Sequence, residues 1–285
     1  MIHPGQLLQA HGLRASKARG QNFLTQPATA AAIARAANIG PEDWVVEIGG
    51  GLGALTLAIA PLARRALILE VDRGLHPVLT ELVAQAGADN VEVRLQDALT
   101  FDWAAQAEAA GRPLVVVGNL PYNISSPLIF ALLENRRAWR EASLMLQREV
   151  ATRLAASPGG KDYGRLAVLV QTWCAVRPGM TLGPEQFFPR PAVDSRVVHL
   201  APLDTPLAPW AQGADEAWYA MVVKAAFSQR RKTLINSLCG GLGMDKESVG
   251  AALARAGVAS GRRAETLTIP ELGQVAQALR PEPTQ

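Results

Sequence analysis

Residues 45–60 read VVEIGGGLGALTLAIA, and this stretch decides the fold. An apolar β-rich run, a glycine cluster and an alanine- and leucine-rich run follow one another, which predicts a buried strand, a tight turn and a helix. Gly49, Gly51 and Gly53 are spaced one residue apart. Glycine permits such a turn and lets the backbone approach a ligand closely. Because the spacing differs from the dinucleotide fingerprint G-x-G-x-x-G, the loop alone is weak evidence for a bound nucleoside.

The alternation of β-rich and helical runs continues along the chain. Four runs have the Val, Ile and Leu density of strands buried on both faces of a parallel sheet: Trp44–Ile48, Ala66–Val71, Val91–Leu95 and Leu114–Gly118. Ala54–Leu62 and Leu75–Gln85 are predicted crossover helices between them. Repeated strand–helix–strand units imply an α/β fold with a doubly wound, mostly parallel, Rossmann-like sheet.

The pattern changes in the last third of the chain. Ala142–Gln147 and Ser195–Leu200 are predicted strands, whereas Leu166–Cys174 is too uniformly apolar for periodicity to assign. Ala201–Trp210 holds three prolines and is a candidate linker. Beyond it, Trp218, Met221, Val222 and Ala225 are predicted to form one face of a helix. We therefore expect a first domain over residues 1–203 and a small all-helical domain over residues 204–285.

Composition excludes several classes of protein. With 285 residues and 49% hydrophobic residues, the chain can bury a sizeable core, which argues against disorder or a coiled coil. No apolar run reaches the roughly 18 to 20 residues of a membrane-spanning helix, and the first twenty residues lack the apolar core of a secretory signal. Two cysteines, Cys174 and Cys239, cannot build a disulfide framework or a metal cage. We therefore expect a reducing, cytoplasmic environment and no metal.

Charge is distributed unevenly along the chain. Residues 1–40 carry four basic and no acidic residues, and residues 41–135 carry five basic and twelve acidic ones. Residues 136–196 carry ten basic and five acidic residues. An extended polyanion could therefore bind the basic flanks while the acidic middle does something else. Charge alone is explained equally simply by solvated side chains scattered over the surface.

Polar residues end successive predicted strands. Glu70 follows Gly49 by 21 residues, at the position of an acidic residue that hydrogen-bonds a ribose diol. Asp97 closes the third strand. Because strand carboxyl ends line the ligand crevice in this architecture, these residues are predicted to bind one nucleoside-like ligand. Their alternative role is that of strand-end carboxylates in water.

The fourth strand leads into an unusual tetrapeptide, Asn119-Leu120-Pro121-Tyr122. Pro121 has no N–H and a fixed φ, so we expect a stiff, irregular loop. Asn119 offers an amide oxygen, Leu120 a backbone carbonyl and Tyr122 a flat ring. Two acceptors and a stacking partner are what an exocyclic amino group on a planar base requires. The alternative is an ordinary turn in which Tyr122 packs into the core.

These residues belong to a longer series of motifs that resembles a known family. In order, the chain contains GQNFL (20–24), EIGGGLGALT (47–56), LEVD (69–72), QDAL (96–99), NLPYNIS (119–125), FFPRPAVDS (187–195) and AFSQRRKTLINSL (226–238). Together they resemble the ribosomal RNA adenine dimethyltransferase family, and within it the bacterial small-subunit branch. Gly50 departs from the family, which usually has proline there. We expect the extra glycine to loosen the loop and to affect cofactor affinity.

The resemblance implies a class I methyltransferase domain that binds S-adenosylmethionine. The implied cofactor contacts are Asn22, Leu24, Gly49, Gly51, Glu70, Asp97 and Asn119. The implied catalytic residues are Asn119, Leu120, Pro121, Tyr122 and Phe187. Tyr122 and Phe187 would stack on a flipped-out adenine, while Asn119 and the Leu120 carbonyl would accept its N6 hydrogens. The acidic middle of the chain suits a cationic sulfonium better than the phosphates of NAD.

The resemblance also implies an RNA partner, namely small-subunit ribosomal RNA in an assembling 30S particle. Two adjacent adenosines near its 3′ end would be dimethylated by a monomeric enzyme. RNA contacts are expected from two basic clusters, the first formed by Arg136, Arg137 and Arg140. The second, predicted on helical neighbours near Arg262 and Arg263, is formed by Arg230, Arg231 and Lys232. Without the resemblance, each cluster would be an ordinary solvated face.

Three alternative functions stay open at this point. A large-subunit ribosomal RNA methyltransferase of the antibiotic-resistance type would share the scaffold, although NLPYN rather than NIPYN and the QRRKTL segment argue against it. A ribosome-assembly or transcription factor could keep the fold without catalysis, but it would not need a site for an amino group. A Rossmann dehydrogenase is disfavoured by the glycine spacing.

Overall fold

The computed structural model describes residues 2–16, 19–121, 124–208 and 215–280. The chain divides into two compact units. The first consists of Met1–Ala151 and Arg177–Pro202, and the second of Thr152–Val176 and Leu203–Gln285. The division near residue 203 lies beside the predicted boundary. The second unit also takes in Thr152–Val176, a segment that the sequence analysis assigned to the first domain.

The first unit is built on a seven-stranded sheet. In chain order, the described strands are β1 (Phe23–Leu24), β2 (Trp44–Ile48), β3 (Arg65–Glu70), β4 (Val91–Leu95), β5 (Leu114–Asn119), β6 (Trp139–Gln147), β7 (Cys174–Leu182), β8 (Phe187–Phe188) and β9 (Ser195–Pro202). The order across the seven-stranded sheet is β4-β3-β2-β5-β6-β9-β7, and β1 and β8 pair with each other in a separate two-stranded sheet. The pairs from β4 through to β6 are parallel, and β9 is antiparallel to β6. This arrangement confirms the predicted doubly wound, mostly parallel sheet.

Strand order reverses between β2 and β5, and this reversal positions the site. β2 pairs with β3 on one side and with β5 on the other. Because the helices after β2 and β5 leave the sheet in opposite directions, a crevice opens at the carboxyl ends of these strands. The strands are rigid here, since Leu114, Val115, Val116 and Val117 are all fully buried.

Seven described helices accompany the first part of the chain. They are α1 (Pro4–Ala10), α2 (Pro27–Ala36), α3 (Ala54–Ile59), α4 (Leu75–Gln85), α5 (Trp103–Ala110), α6 (Ser125–Glu134) and α7 (Arg148–Leu154). The sequence predicted a helix over Ala54–Leu62, but α3 ends at Ile59 and continues as a 3₁₀ turn over Ala60–Leu62. Pro61 explains the change, because proline lacks the N–H that an α-helix needs.

The second unit is helical, as predicted. Its described helices are α8 (Arg165–Trp173), α9 (Asp215–Ala226), α10 (Leu234–Leu242), α11 (Lys246–Arg255) and α12 (Ile269–Ala278). The unassigned run Leu166–Cys174 is therefore mostly helix, with β7 starting at Cys174. Leu203 and Leu207 of the predicted linker donate amide hydrogen bonds to the Trp173 and Thr172 carbonyls. This proline-rich segment is thus tied to α8 rather than free.

The buried face of α9 matches the prediction only in part, since Trp218 is half-buried. Tyr219, Val222 and Ala225 are buried, whereas Met221 is exposed. Tyr219 forms a 2.9 Å hydrogen bond with the Thr172 hydroxyl and an edge-to-face contact with Trp173. The tyrosine ring fills the core and its hydroxyl is satisfied there, which fixes the helix rotation.

Candidate active site

A cleft lies at the carboxyl ends of β2, β3 and β5. Its walls are the glycine loop, the N-terminal segment 19–24 and the ends of β3 and β5. Of the predicted cofactor residues, it brings together Asn22, Leu24, Gly49, Gly51, Glu70 and Asn119. Four separate parts of the chain therefore meet around one small volume.

The glycine loop has a backbone that other residues would adopt with strain. Gly49, Gly51 and Gly53 have φ values of +77°, +56° and +78°. The Gly49 amide donates to the Leu69 carbonyl at 2.8 Å, which ties the start of the loop to β3. A Cβ at Gly51 would also come within 3.1 Å of the Phe23 ring. Glycine is therefore required here both by conformation and by space.

Gly50 has a packing role that the sequence did not reveal. A Cβ at this position would lie 2.5 Å from Leu79 Cδ2 and closer still to Ile68 Cγ2. The expectation was a looser loop. In the structure, the missing side chain lets the loop sit directly on β3 and α4.

Glu70 fastens the loop to the end of β3. Its Oε2 accepts a hydrogen bond from the Gly51 amide and its Oε1 one from the Asp72 amide, both at 2.8 Å. Burial raises the pKa of the Glu70 carboxyl, and the backbone hydrogen bonds oppose that rise. Each carboxylate oxygen keeps further lone pairs. A ribose diol can therefore bind without displacing either amide.

Glu47 is a cleft residue that sequence analysis missed. It is 1% exposed, lines the cleft and accepts a 2.6 Å hydrogen bond from the Thr56 hydroxyl. Burial, together with the nearby Glu70 charge, raises the pKa of Glu47 to about 8. Its carboxyl is therefore protonated at neutral pH. The only available signal was an acidic residue inside an otherwise apolar strand.

Val71 is a second cleft residue that was missed. It lines the cleft directly after Glu70, and 55% of it is exposed. An exposed valine at a strand end offers an apolar surface on which a flat ring could lie. The residue stands within the LEVD motif, but the sequence analysis gave it no role.

The N-terminal segment is anchored to the sheet through Asp72. The Gln21 side chain donates to Asp72 at 2.8 Å, and Arg19 forms an ion pair with the same carboxylate. Gln21 in turn accepts from the Ser16 amide at 2.8 Å. Burial would raise the pKa of Asp72, but the hydrogen bonds from Gln21 and Arg19 outweigh it and lower the pKa. One wall of the cleft is thus held by a charged contact.

Asn119 joins the N-terminal segment to the end of β5. Its side-chain nitrogen donates to the Asn22 backbone carbonyl at 2.7 Å. Since a carbonyl can only accept, this contact fixes which end of the amide is nitrogen. The amide oxygen of Asn119 is then the end of this side chain that is able to accept a hydrogen bond from a ligand.

The residues that follow Asn119 continue the stiff turn. The Leu120 amide donates to the Met145 carbonyl at 3.1 Å, and its side chain is buried. Pro121 lines the cleft and accepts from the Ile124 amide at 3.2 Å. Tyr122 lies outside the described residues, so its predicted stacking role stays a prediction.

Three of the described residues that were predicted as cofactor or catalytic residues lie outside the cleft lining, namely Leu120 and Phe187, which are buried, and Asp97. Phe187 is 2% exposed, pairs with Leu24 in the β1–β8 ladder and belongs to the core of the first unit. Asp97 is exposed and caps a 3₁₀ turn by accepting from the Leu99 amide at 2.9 Å. Their proposed contacts with adenine stay predictions.

The first basic cluster divides into different environments. Arg137 is exposed, whereas Arg140 forms a 2.5 Å ion pair with Asp43, which is 1% exposed. Burial would raise the pKa of Asp43, but hydrogen bonds from Arg140 and Gly40 lower it. Arg136 donates to the Leu133 carbonyl at 3.2 Å. Arg140 therefore has a structural partner in addition to its predicted RNA contact.

The second basic cluster lies on a loop and not on a helix as predicted. Arg230, Arg231 and Lys232 fall between the end of α9 and the start of α10, and all three are exposed. The Leu234 amide donates to the Arg262 carbonyl at 2.7 Å, which brings Arg262 beside this loop. Arg262 itself is paired with Glu271 at 2.5 Å.

The described residues offer neither a metal cluster nor a membrane-spanning helix. Within these ranges, no three His, Cys, Asp or Glu side chains converge as metal ligands would. In the same part of the chain, none of the helices has the length and apolar character needed to span a bilayer.

Comparisons with known proteins identify relatives along nearly the full length. A family model described as ribosomal RNA adenine dimethylase matches residues 12–279. A Desulforapulum autotrophicum protein named ribosomal RNA small subunit methyltransferase A is 44% identical over 280 residues, covering 98% of this chain and 97% of that protein. A Syntrophotalea carbinolica protein of the same name is 43% identical, covering 94% and 98%.

Solved structures show the same relationship at lower identity. A dimethyladenosine transferase from Plasmodium falciparum superposes with a TM-score of 0.73 and 27% identity, covering 89% of this chain and 95% of that one. The 23S rRNA methyltransferase ErmE gives a TM-score of 0.68 and 29% identity, covering 90% and 99%. Since the family model spans the glycine loop, the Asn119 strand end and the helical unit alike, the chain belongs to the ribosomal RNA adenine dimethylase family.

Proposed function

We propose that this chain transfers methyl groups from S-adenosylmethionine to N6 of two adjacent adenosines near the 3′ end of small-subunit ribosomal RNA. The product at each position is N6,N6-dimethyladenosine. The names of the two bacterial relatives at 44% and 43% identity support the small-subunit substrate. We further propose that the enzyme acts as a cytoplasmic monomer on an assembling 30S particle.

The chemistry of the cleft supports this cofactor. Glycines bring neutral backbone close to the ligand, and the Glu70 carboxyl group, held by two backbone amides, lines the same space. Arg19 is the one basic residue in the described lining, and it is already paired with Asp72. Such a cleft favours a cationic sulfonium and does not offer the cationic groups that a pyrophosphate would need.

The single observation that carries the proposal is the hydrogen bond from Asn119 to the Asn22 carbonyl. It turns the Asn119 oxygen into a fixed acceptor beside the glycine loop. That oxygen and the Leu120 carbonyl would hold the two N6 hydrogens and so orient the nitrogen lone pair. Positioning of this kind, with little reorganisation during the reaction, is a main source of catalysis.

The remaining parts of the reaction follow from the same residues. S-adenosylmethionine, when bound, would supply an electrophilic methyl group to the N6 lone pair. The C–N bond would form as the C–S bond breaks to leave a neutral thioether, and N6 would release one proton to solvent. Glu70 would hold the ribose hydroxyls, and Asp97 would accept from the cofactor's adenine amino group. Tyr122 would stack on the target base after the base leaves the RNA stack, and such stacking is worth roughly 1–3 kcal/mol per base. Phe187 would stack on the opposite face only after a shift of its buried ring toward the cleft.

The decisive experiment is mass spectrometry of adenosines from unmethylated 30S particles incubated with the protein and labelled cofactor. We expect label in N6,N6-dimethyladenosine of the small-subunit RNA. Unlabelled adenosine at every position would show that the protein is a non-catalytic assembly factor.

The 29% identity to ErmE gives a second candidate substrate, the large-subunit RNA. Primer extension on both ribosomal RNAs separates the two, because dimethyladenosine blocks the extending enzyme. A stop on 23S RNA alone would replace the small-subunit proposal.

A further inference from the structure

The second unit contains a cavity of about 330 Å³ that the proposed chemistry does not use. We call it the helical-unit pocket. Its floor is apolar and buried, formed by Tyr163, Ala167, Ala226 and Ala264. Its volume falls in the range of small-molecule sites, roughly 300–1,000 Å³. The pocket is therefore large enough for one nucleotide-sized group.

The rim of the helical-unit pocket is cationic. Two acidic residues lie on the rim, Asp162 and Glu265. Four exposed basic residues lie there as well, namely Arg153, Lys161, Arg165 and Arg230. Glu265 faces Arg263 at 3.8 Å, which offsets its charge. Within the described part of the chain, the Lys161 ammonium has no ion-pair partner. The rim thus carries more basic than acidic side chains above an apolar floor.

Two further contacts shape this pocket. Arg230 donates a hydrogen bond to the Lys161 carbonyl, which holds the loop after α9 against the segment before α8. Phe227 is half-buried and meets Tyr163 edge to face, with centroids 6.0 Å apart and an angle of 73°. The Tyr163 hydroxyl is buried and has no hydrogen-bond partner among the described residues. An unsatisfied buried hydroxyl lowers the free energy of unfolding, and close packing alone does not offset that loss.

We propose that the helical-unit pocket binds one unpaired nucleotide of the RNA substrate. Its phosphate lies at Lys161 and Arg230, and its base lies against Phe227. A cationic rim with an aromatic wall is the combination that binds single-stranded nucleic acid, since the cations neutralise phosphate and the ring stacks on a base. The choice of RNA rests on the proposed function.

The test is equilibrium binding to unmethylated 30S particles over a range of salt concentrations. Lys161→Ala should weaken binding several-fold and reduce the slope of log K against log salt by about 0.7, the value for one single-strand phosphate contact. Lys246→Ala is the matched control, because Lys246 is an exposed lysine of the same unit outside the pocket. It should keep both the affinity and the slope.

The aromatic wall has its own pair of variants. Phe227→Leu keeps an apolar side chain but removes the ring, and should weaken binding roughly tenfold by loss of stacking. Phe227→Tyr keeps the ring and should bind like the natural chain. Thermal melts of every variant show whether folding has changed. If Phe227→Leu unfolds, Lys161→Ala still tests whether the pocket binds RNA. The exposed Lys161 side chain has no ion-pair partner among the described residues, so we expect its removal to leave the fold intact.

Several outcomes would overturn the inference. One is a Lys161→Ala variant with unchanged affinity and slope. Another is Lys161-dependent binding of adenosine 5′-monophosphate without any effect on particle binding, which would make the pocket a site for free nucleotides. The inference and the proposed function can fail separately. A chain that shows the Lys161 effect but no methyl transfer refutes the function alone, whereas methyl transfer without the Lys161 effect refutes the pocket alone.

Discussion

The cleft of the first unit and the helical-unit pocket are built from different groups. The cleft is lined by backbone and by buried carboxyl groups that already hold their own loops, such as Glu70 on Gly51 and Asp72. The helical-unit pocket is lined by exposed basic side chains over an apolar floor. We therefore expect substitutions in the cleft to affect folding as well as ligand binding, and substitutions on the rim to affect mainly binding. Four predictions test this contrast.

Asn119→Ala should have the largest effect. It removes the proposed acceptor for N6 and the hydrogen bond to the Asn22 carbonyl. We expect kcat for methyl transfer to 30S particles to fall about 10²–10³-fold, as when one preorganised polar contact is lost. Asn119→Asp separates the two roles, because it keeps an acceptor but cannot donate to Asn22. An Asn119→Ala variant with natural activity would rule out the proposed mechanism.

Glu47 should make folding stability depend on pH. Its pKa is about 8 in the folded chain and 4.5 ordinarily, so between these values the folded chain binds one more proton than the unfolded chain. Unfolding free energy should therefore fall as pH rises, by up to about 1.4 kcal/mol per pH unit from this group. Glu47→Gln should reduce that slope in urea denaturation between pH 5 and 7.5. Identical slopes would show that Glu47 is ionised in the folded state.

Gly50→Ala tests the packing of the glycine loop. The added Cβ would overlap Leu79 and Ile68, so we expect a loss of about 1–3 kcal/mol of stability. Gly261→Ala is a suitable control, because a Cβ there meets nothing within 4 Å. Chemical denaturation of both variants provides the comparison. A Gly50→Ala variant as stable as the control would mean that the loop can move away from β3.

Arg140→Ala and Arg231→Ala compare a basic residue of each unit, with the smallest expected effects. Arg140 holds buried Asp43, so its loss should lower the melting temperature by several degrees. Arg231 is exposed on its loop, so its loss should leave the melting temperature unchanged and weaken RNA binding only a few-fold. If Arg231→Ala also lowered the melting temperature, the expected difference between a basic residue with a buried partner and an exposed basic residue would fail.

The sequence predicted most of the sheet because its strands carry a local signal. Trp44–Ile48 and Val91–Leu95 have the predicted bounds, and α4 over Leu75–Gln85 does as well. The sequence did not predict β7, because Arg177, Pro178 and Gly179 interrupt any alternation of apolar and polar residues over Cys174–Leu182. Its strand conformation depends on its place at the edge of the sheet, beside β9. Such tertiary determinants cannot be read from a short window of residues.

The candidate site was predicted where it depends on motifs and missed where it depends on contacts. The glycines, Glu70 and Asn119 stand at strand ends, and strand ends meet by topology. The ion pair of Arg140 with Asp43 joins residues 97 positions apart, so no local pattern announces it. The protonation of Glu47 depends on complete burial, which the residue type itself makes improbable.

The bond between Asn119 and Asn22 also bears on when the product leaves. Because the Asn119 nitrogen is hydrogen-bonded to Asn22, only the Asn119 oxygen can bind the target, and it needs a hydrogen donor there. The N6 amine of unmodified adenine has two hydrogens to donate, the singly methylated amine has one, and the doubly methylated amine has none. Affinity for the target should therefore decline in steps as the work proceeds, and the finished base should depart because nothing remains for the Asn119 oxygen to hold. Equal affinity for unmodified and doubly methylated particles would show that release is governed elsewhere.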